Sequence, residues 1–316
     1  MMAASCGRHE RRWTLSKTVR GFREERGTKD MSVDSISATT AAATDLSRVD
    51  PSRLKIATSI KQAAGTTGVS AIESVEGTTG TDVLRMVGAS NTSVSSIESV
   101  LGSGGTDTVT MLAAGAMAVS AIETVTGSAS GAVDDTLRLL GGGTVAVSAV
   151  ESLLGGTGTD IVTMLESRAI AVSAIETVAG HSDALDVVTL LGSGTTAVSQ
   201  VETLLGSTST DVARLLGGGA LAVSRVETVL GGTGTDALSM MAADTLAVSS
   251  VETVQGSASA ITDDVLRLLG AGTVHVSAME SVVGTTGTDA VLMMAADDLA
   301  VSAVELVVGS DTVGID

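Results

Sequence analysis

Nine aspartates, each closing a glycine- and threonine-rich turn, are the residues of this chain best placed to do chemistry. They are Asp82, Asp107, Asp135, Asp160, Asp186, Asp211, Asp236, Asp264 and Asp289; their turns read GTTGTD from Gly77 or GGTGTD from Gly155 and Gly231. Glycine turns free their carbonyls and allow close approach, and a hard cation such as Ca2+ takes about six to eight carboxylate and carbonyl oxygens. If like turns stack at the inter-strand spacing of ~4.8 Å, the aspartates form a column. Two bare carboxylates ~5 Å apart repel by ~0.9 kcal/mol in water, and several-fold more at an effective dielectric near 20. A cation between rungs turns that penalty into attraction. The alternative is that each aspartate closes its own turn through backbone hydrogen bonds.

Insertions lengthen the turns ending at Asp135, Asp186 and Asp264. That leaves Asp82, Asp107, Asp160, Asp211, Asp236 and Asp289 as candidate metal ligands. Asp82/Asp107 and Asp211/Asp236 are the best pairs, because no insertion separates them. Asp160 has the best turn but an altered neighbour on each side.

A repeat must position these turns. Its anchor is Val-Ser-x-(Val/Ile/Met)-Glu, with glutamates at 73, 98, 123, 151, 176, 202, 227, 252, 280 and 305, spaced 25 to 28 apart. From each aspartate to the next glutamate is always 16 residues, so all length variation falls in the glycine turn. A second period of 129 relates Glu73 to Glu202, Arg85 to Arg214 and Arg138 to Arg267, as if five units had been duplicated in tandem. After each aspartate the chain alternates: in DTVTML, Val109 and Met111 share one face and Thr108 and Thr110 the other, which is strand patterning. Val119, Ile122 and Val125 then lie three apart, which requires a corner around Ser120. Gly, Thr, Val and Ser at this density oppose a helical repeat.

The expected fold is therefore all-β: a parallel β-solenoid (β-roll or β-helix) of about ten coils, with two short strands per coil and a disordered or partly helical N-terminal segment. Ten coils make a rod of about 45–50 Å. Composition agrees. Aromatics are 1% of the 316 residues and proline occurs once, yet 44% is apolar. Small aliphatic residues in a thin coil reconcile these values.

Three segments are expected: a basic leader or extension over 1–30, a linker and cap over 31–64, and the solenoid over 65–316. The cap includes RLKIATSIKQAA as a short helix. Residues 1–30 carry eight Lys/Arg and four acidic residues, whereas 65–316 carries six arginines, no lysine and twenty-nine acidic residues. Such a surface repels nucleic acid, and no apolar run is long enough for a membrane span.

GGTGTDIVT (Gly155 to Thr163) and GGTGTDALS (Gly231 to Ser239) fit the nonapeptide of haemolysin-type, or RTX, repeats, which this region resembles. The resemblance implies a calcium-loaded β-roll outside the cell or at its surface, exported by a type I system. The chain departs from that pattern in having one such motif per 25 residues, so at most one edge of the rod carries a metal row.

These features point to a non-enzymatic structural or adhesive rod, bound to surface or matrix components and possessing Ca2+ between its turns. The alternative is a metal-independent solenoid that self-associates end to end. Catalysis finds little support: of His9, His181 and His275 the latter two interrupt repeat columns singly, and no triad, metal-His cluster or phosphate loop occurs in the sequence. A polysaccharide lyase needs a cleft and an aromatic platform. Ice binding needs threonine ranks on a flat face, whereas pairs such as Thr157/Thr159 lie in the turns. The serine of every anchor, from Ser70 to Ser302, is expected to form a hydroxyl ladder at the corners.

Overall fold

The computed structural model describes residues 59–129, 134–182, 185–257, 263–295 and 298–310. Among them the chain forms thirty strands and no helix. The first seven are β1 (Ser59–Lys61), β2 (Gly65–Val69), β3 (Ser74–Glu76), β4 (Asp82–Met86), β5 (Asn91–Ser95), β6 (Ser99–Leu101) and β7 (Thr108–Met111). Alternation produces them. In β4, Asp82, Leu84 and Met86 point inward while Val83 and Arg85 point outward. In β7, Val109 and Met111 point inward.

Odd-numbered strands build one fifteen-stranded sheet and even-numbered strands another, each strand pairing in parallel with the one two places on. The chain thus passes from sheet to sheet, laying one strand in each per turn. This is the parallel β-solenoid that the periodicity predicts. Its core is a double layer of Val, Leu, Ile and Met, with Leu84, Val100, Leu137, Leu153 and Leu204 wholly enclosed. The enclosed hydrophobic side chains are Val, Leu, Ile, Met and Ala, in keeping with the scarcity of aromatics.

The coil count differs from expectation. Each 25-residue unit supplies three strands rather than two: β4, β5 and β6 lie between Asp82 and the next turn. Paired residues on successive rungs are 16 apart at Val83/Ser99, 19 at Ser99/Ala118 and 17 at Asn91/Thr108. One unit therefore makes one and a half turns, and ten units make fifteen rungs instead of ten. At ~4.8 Å per rung the rod is about 65–70 Å long. Five units contain an odd number of strands, so the second 129-residue copy begins in the opposite sheet. Arg85 lies in an even-sheet strand and Arg214 in an odd-sheet one.

Two boundaries also move. Ser59–Lys61 pairs with β3 as a strand, so the solenoid starts before Gly65 and these residues are not helical. The leader over 1–30 and residues 31–58 of the proposed linker and cap lie outside the described residues. The corner expected around Ser120 falls at Ala121, whose φ is 52°. No helix among the described residues is long and apolar enough to cross a membrane.

Leu204 is enclosed between the sheets, so Leu204→Ala is expected to lower the unfolding free energy by about 2–5 kcal/mol. Chemical denaturation with hydrogen exchange at neighbouring rungs checks the size and the location of the loss.

Candidate functional site

Connections from odd to even strands form one edge of the rod, and connections from even to odd strands form the other. Three kinds of connection alternate along each edge. The first is the glycine turn ending in aspartate, as between β3 and β4. The second is the glutamate corner, Ser96 to Glu98, between β5 and β6. The third is a bend such as Leu112 to Gly115 after β7.

This order distributes the aspartates over both edges. Asp82, Asp135, Asp186, Asp236 and Asp289 lie on the first edge; Asp107, Asp160, Asp211 and Asp264 lie on the second. Asp82 and Asp107 are therefore on opposite sides of the rod, as are Asp211 and Asp236. Aspartates on one edge are three rungs, ~14 Å, apart. The expected column of adjacent carboxylates does not form, and its physical reason is the half-turn left over by each three-strand unit.

What forms instead is a tie across rungs. Each aspartate side chain points inward and is essentially unexposed, between 0% and 1%. Its Oδ2 accepts the N–H of the residue after the turn's first glycine, as from Thr78 to Asp82 and from Ser207 to Asp211, both at 2.6 Å. Ser103, Ser128, Ser257 and Thr285 add a hydroxyl bond to the same oxygen. The aspartate N–H donates to Oε2 of the glutamate 16 residues on, at 2.7–2.8 Å in all nine turns, from Asp82 to Glu98 through Asp289 to Glu305. That glutamate sits one rung above. The constant spacing of 16 is the length of this turn of the coil.

The first glycine is required by the same contact. Its N–H donates to the carbonyl of the anchor serine on the rung above, as from Gly77 to Ser95 and from Gly206 to Ser224, both 2.8 Å. A Cβ at Gly206 would lie 1.6 Å from the Arg225 carbonyl oxygen, and at Gly77 1.8 Å from that of Ser96. Those carbonyls belong to the corner residue between anchor serine and apolar residue. It is left-handed in all ten anchors, at φ 51–55°, and is never glycine.

The second carboxylate oxygen divides the aspartates into two classes. In Asp107, Asp135, Asp186, Asp264 and Asp289, Oδ1 accepts an N–H from the bend on the rung below, such as Ser90 to Asp107 at 2.9 Å. In Asp82, Asp160, Asp211 and Asp236 it is buried without a protein partner. There the corresponding N–H of Gly65, Gly143, Gly194 or Gly219 bonds to the carbonyl preceding the aspartate instead. Burial pushes the Asp236 carboxyl up, the Gly232 N–H opposes this and the Glu252 carboxylate adds to it. Burial acts likewise on Asp289, but bonds from the Thr285 N–H, the Thr285 hydroxyl and Gly272 N–H outweigh it and hold its carboxyl low.

These residues do not fit the calcium row implied by the haemolysin-type resemblance. Every Oδ2 is committed to its own turn, same-edge aspartates are three rungs apart, and both edges carry them. Among the described residues no three His, Cys, Asp or Glu side chains form a group that could hold a metal. The anchor serines use their carbonyls to accept from the glycine turn below; Ser148 also bonds its hydroxyl to Thr126 at 3.2 Å. Thr157 and Thr159 are exposed in their turn as expected. His275 faces outward with Nδ1 3.2 Å from the Glu252 carbonyl oxygen, and the His181 N–H bonds Asp186. The tie to glutamate was missed by sequence reasoning, although the unvarying Asp-to-Glu interval was its signal.

Gly206→Ala is expected to destabilise by about 3 kcal/mol or more, because backbone rather than a movable side chain blocks the Cβ. Gly217→Ala, with nothing within 4 Å of the added atom, should change stability by less than about 1 kcal/mol. Paired denaturation curves check the contrast. In a carboxyl-detected NMR titration, Asp236 should protonate above and Asp289 below the ~3.9 of a free aspartate. The signs are opposite for stability: acid favours the fold through Asp236, whereas stability from Asp289 is full above its unfolded value and is lost as pH falls through its depressed one. Comparison with protein-family models, curated proteins and solved structures finds no match.

Proposed function

We infer that the chain is a non-enzymatic structural rod whose rungs are locked by buried aspartate ties and which needs no metal to fold. The observation that carries this reading is the nine-fold bond from aspartate N–H to the glutamate above, made while Oδ2 closes the turn. Hydrogen bonds to ionised groups are worth ~1.5–3 kcal/mol each, and here they recur on both edges along the whole length. The similarity of GGTGTDIVT to haemolysin-type turns favours a place outside the cell or on its surface, in adhesive contact with surface or matrix components.

A second reading keeps calcium. It is favoured by the unpartnered Oδ1 atoms of Asp82, Asp160, Asp211 and Asp236, since a buried acceptor without a donor is costly. Circular dichroism and thermal melting in millimolar calcium and in excess chelator separate the two. Superimposable spectra and equal midpoints are expected. A β signal that appears, or a midpoint that rises, only with calcium would overturn the metal-independent rod.

A further inference from the structure

The residue that follows each aspartate strand, five places after the aspartate, is large and apolar in all nine units, and in all nine it is exposed. On the first edge these are Leu112, Leu165, Leu216 and Leu269, between 45% and 55% exposed. On the second they are Val87, Leu140, Leu191, Met241 and Met294, between 43% and 57%. Folding does not require this. The inward neighbours Met111, Leu139, Met164 and Leu215 already fill the core, and small residues follow in most of the bends.

The spacing of these side chains is set by the fold. They occupy the bends, so each edge carries one every third rung, ~14 Å apart. The two edges lie on opposite sides of the rod with the same sequence of bend, glycine turn and glutamate corner. Around the apolar residues the connections are largely uncharged Gly, Ala, Ser and Thr, as in LGGG from Leu216 and LAAG from Leu112. The glutamates of each edge also recur only every third rung.

We propose that the rods pack side by side through these edges, the occupant of each edge being a second copy of this chain. Two arguments select a copy over another partner. A surface that touches apolar residues every ~14 Å along a ~65 Å rod must repeat at that interval, and the opposite edge of this chain does. Each edge also exposes apolar area on the order of 400 Å2, about half of the ~800 Å2 per partner that a stable interface buries. A half-apolar patch with a polar remainder is the usual composition of such interfaces. Displacing one rod along the other sets the leucines of one edge between those of the next, and keeps glutamates of facing edges apart. Because a rod has two such edges, association extends into a layer rather than closing at a dimer. The inference rests on the rod reading, but a rod that stays single would leave that reading intact.

The test is sedimentation velocity of the full chain at rising concentration, in low and in high salt, with electron microscopy of the high-salt sample. Salt screens the formal net charge of −18, so assembly should strengthen with it. Replacing the four first-edge leucines by glutamine removes one half of every edge-to-opposite-edge contact and should leave monomers. Replacing the five second-edge residues instead should do the same, each variant keeping the wild-type circular dichroism. As a check independent of those variants, Leu216→Cys combined with Met241→Cys on the opposite edge, in a Cys6→Ser background, should crosslink between copies on oxidation, whereas Thr195→Cys combined with Met241→Cys should not, because Thr195 is exposed on a sheet face and not on an edge. A wild-type chain that is monomeric in high salt, assembly that ignores the edge substitutions, or equal crosslinking by both cysteine pairs would each overturn the proposal.

Discussion

A carboxylate withdrawn from water is tolerated only where hydrogen bonds replace its hydration, and the rungs of this rod are joined through nine such groups. To reach the aspartate, the turn must bring its own N–H inward. To lie that close to the rung above, it must begin with a residue lacking a Cβ, because the corner carbonyl already occupies the place a Cβ would take. The corner carbonyl is there because its residue is left-handed, a conformation that costs a non-glycine residue ~1–2 kcal/mol. The glutamate beside it then receives the aspartate N–H. Glycine, aspartate, corner residue and glutamate are four sides of a single contact, which is why they recur together while the turn between them varies in length.

Strand alternation after Asp107 and the triple spacing of Val119, Ile122 and Val125 made the solenoid and its corner legible from sequence, because inward and outward positions differ plainly in polarity. The number of rungs was not. A repeat in sequence was equated with a turn in space, and nothing in a residue's identity says whether a unit closes one turn or one and a half. That error carried the aspartate pairs with it, since stacking was inferred from order along the chain. The tie itself is a bond to a backbone N–H, invisible in side-chain patterns, and only the fixed interval from Asp160 to Glu176 and its equivalents hinted at it.

Charge is sorted by the same geometry. Nine of the acidic residues are inside the rod, so the strongly negative composition overstates what solvent meets. Of the other described carboxylates all but Glu76 lie in the connections at the edges, where the glutamates are partly spent on the ties. Along the outward faces of the described strands the charged residues are Lys61, Glu76, Arg85, Arg138, Arg214 and Arg267. An acidic chain has thus produced two broad, sparsely charged faces whose few charges are mostly arginines set among hydroxyl groups.

The mismatch between three strands per unit and two per turn bears on how such a chain can change length. Gain or loss of a single unit would rotate everything downstream by half a revolution, exchanging front for back without disturbing any local contact. Changes by two units would preserve orientation. The 129-residue offset, five units, is of the first kind, and the arginine pair of the later half looks away from that of the earlier half; an offset of an even number of units would rank all four together on one side.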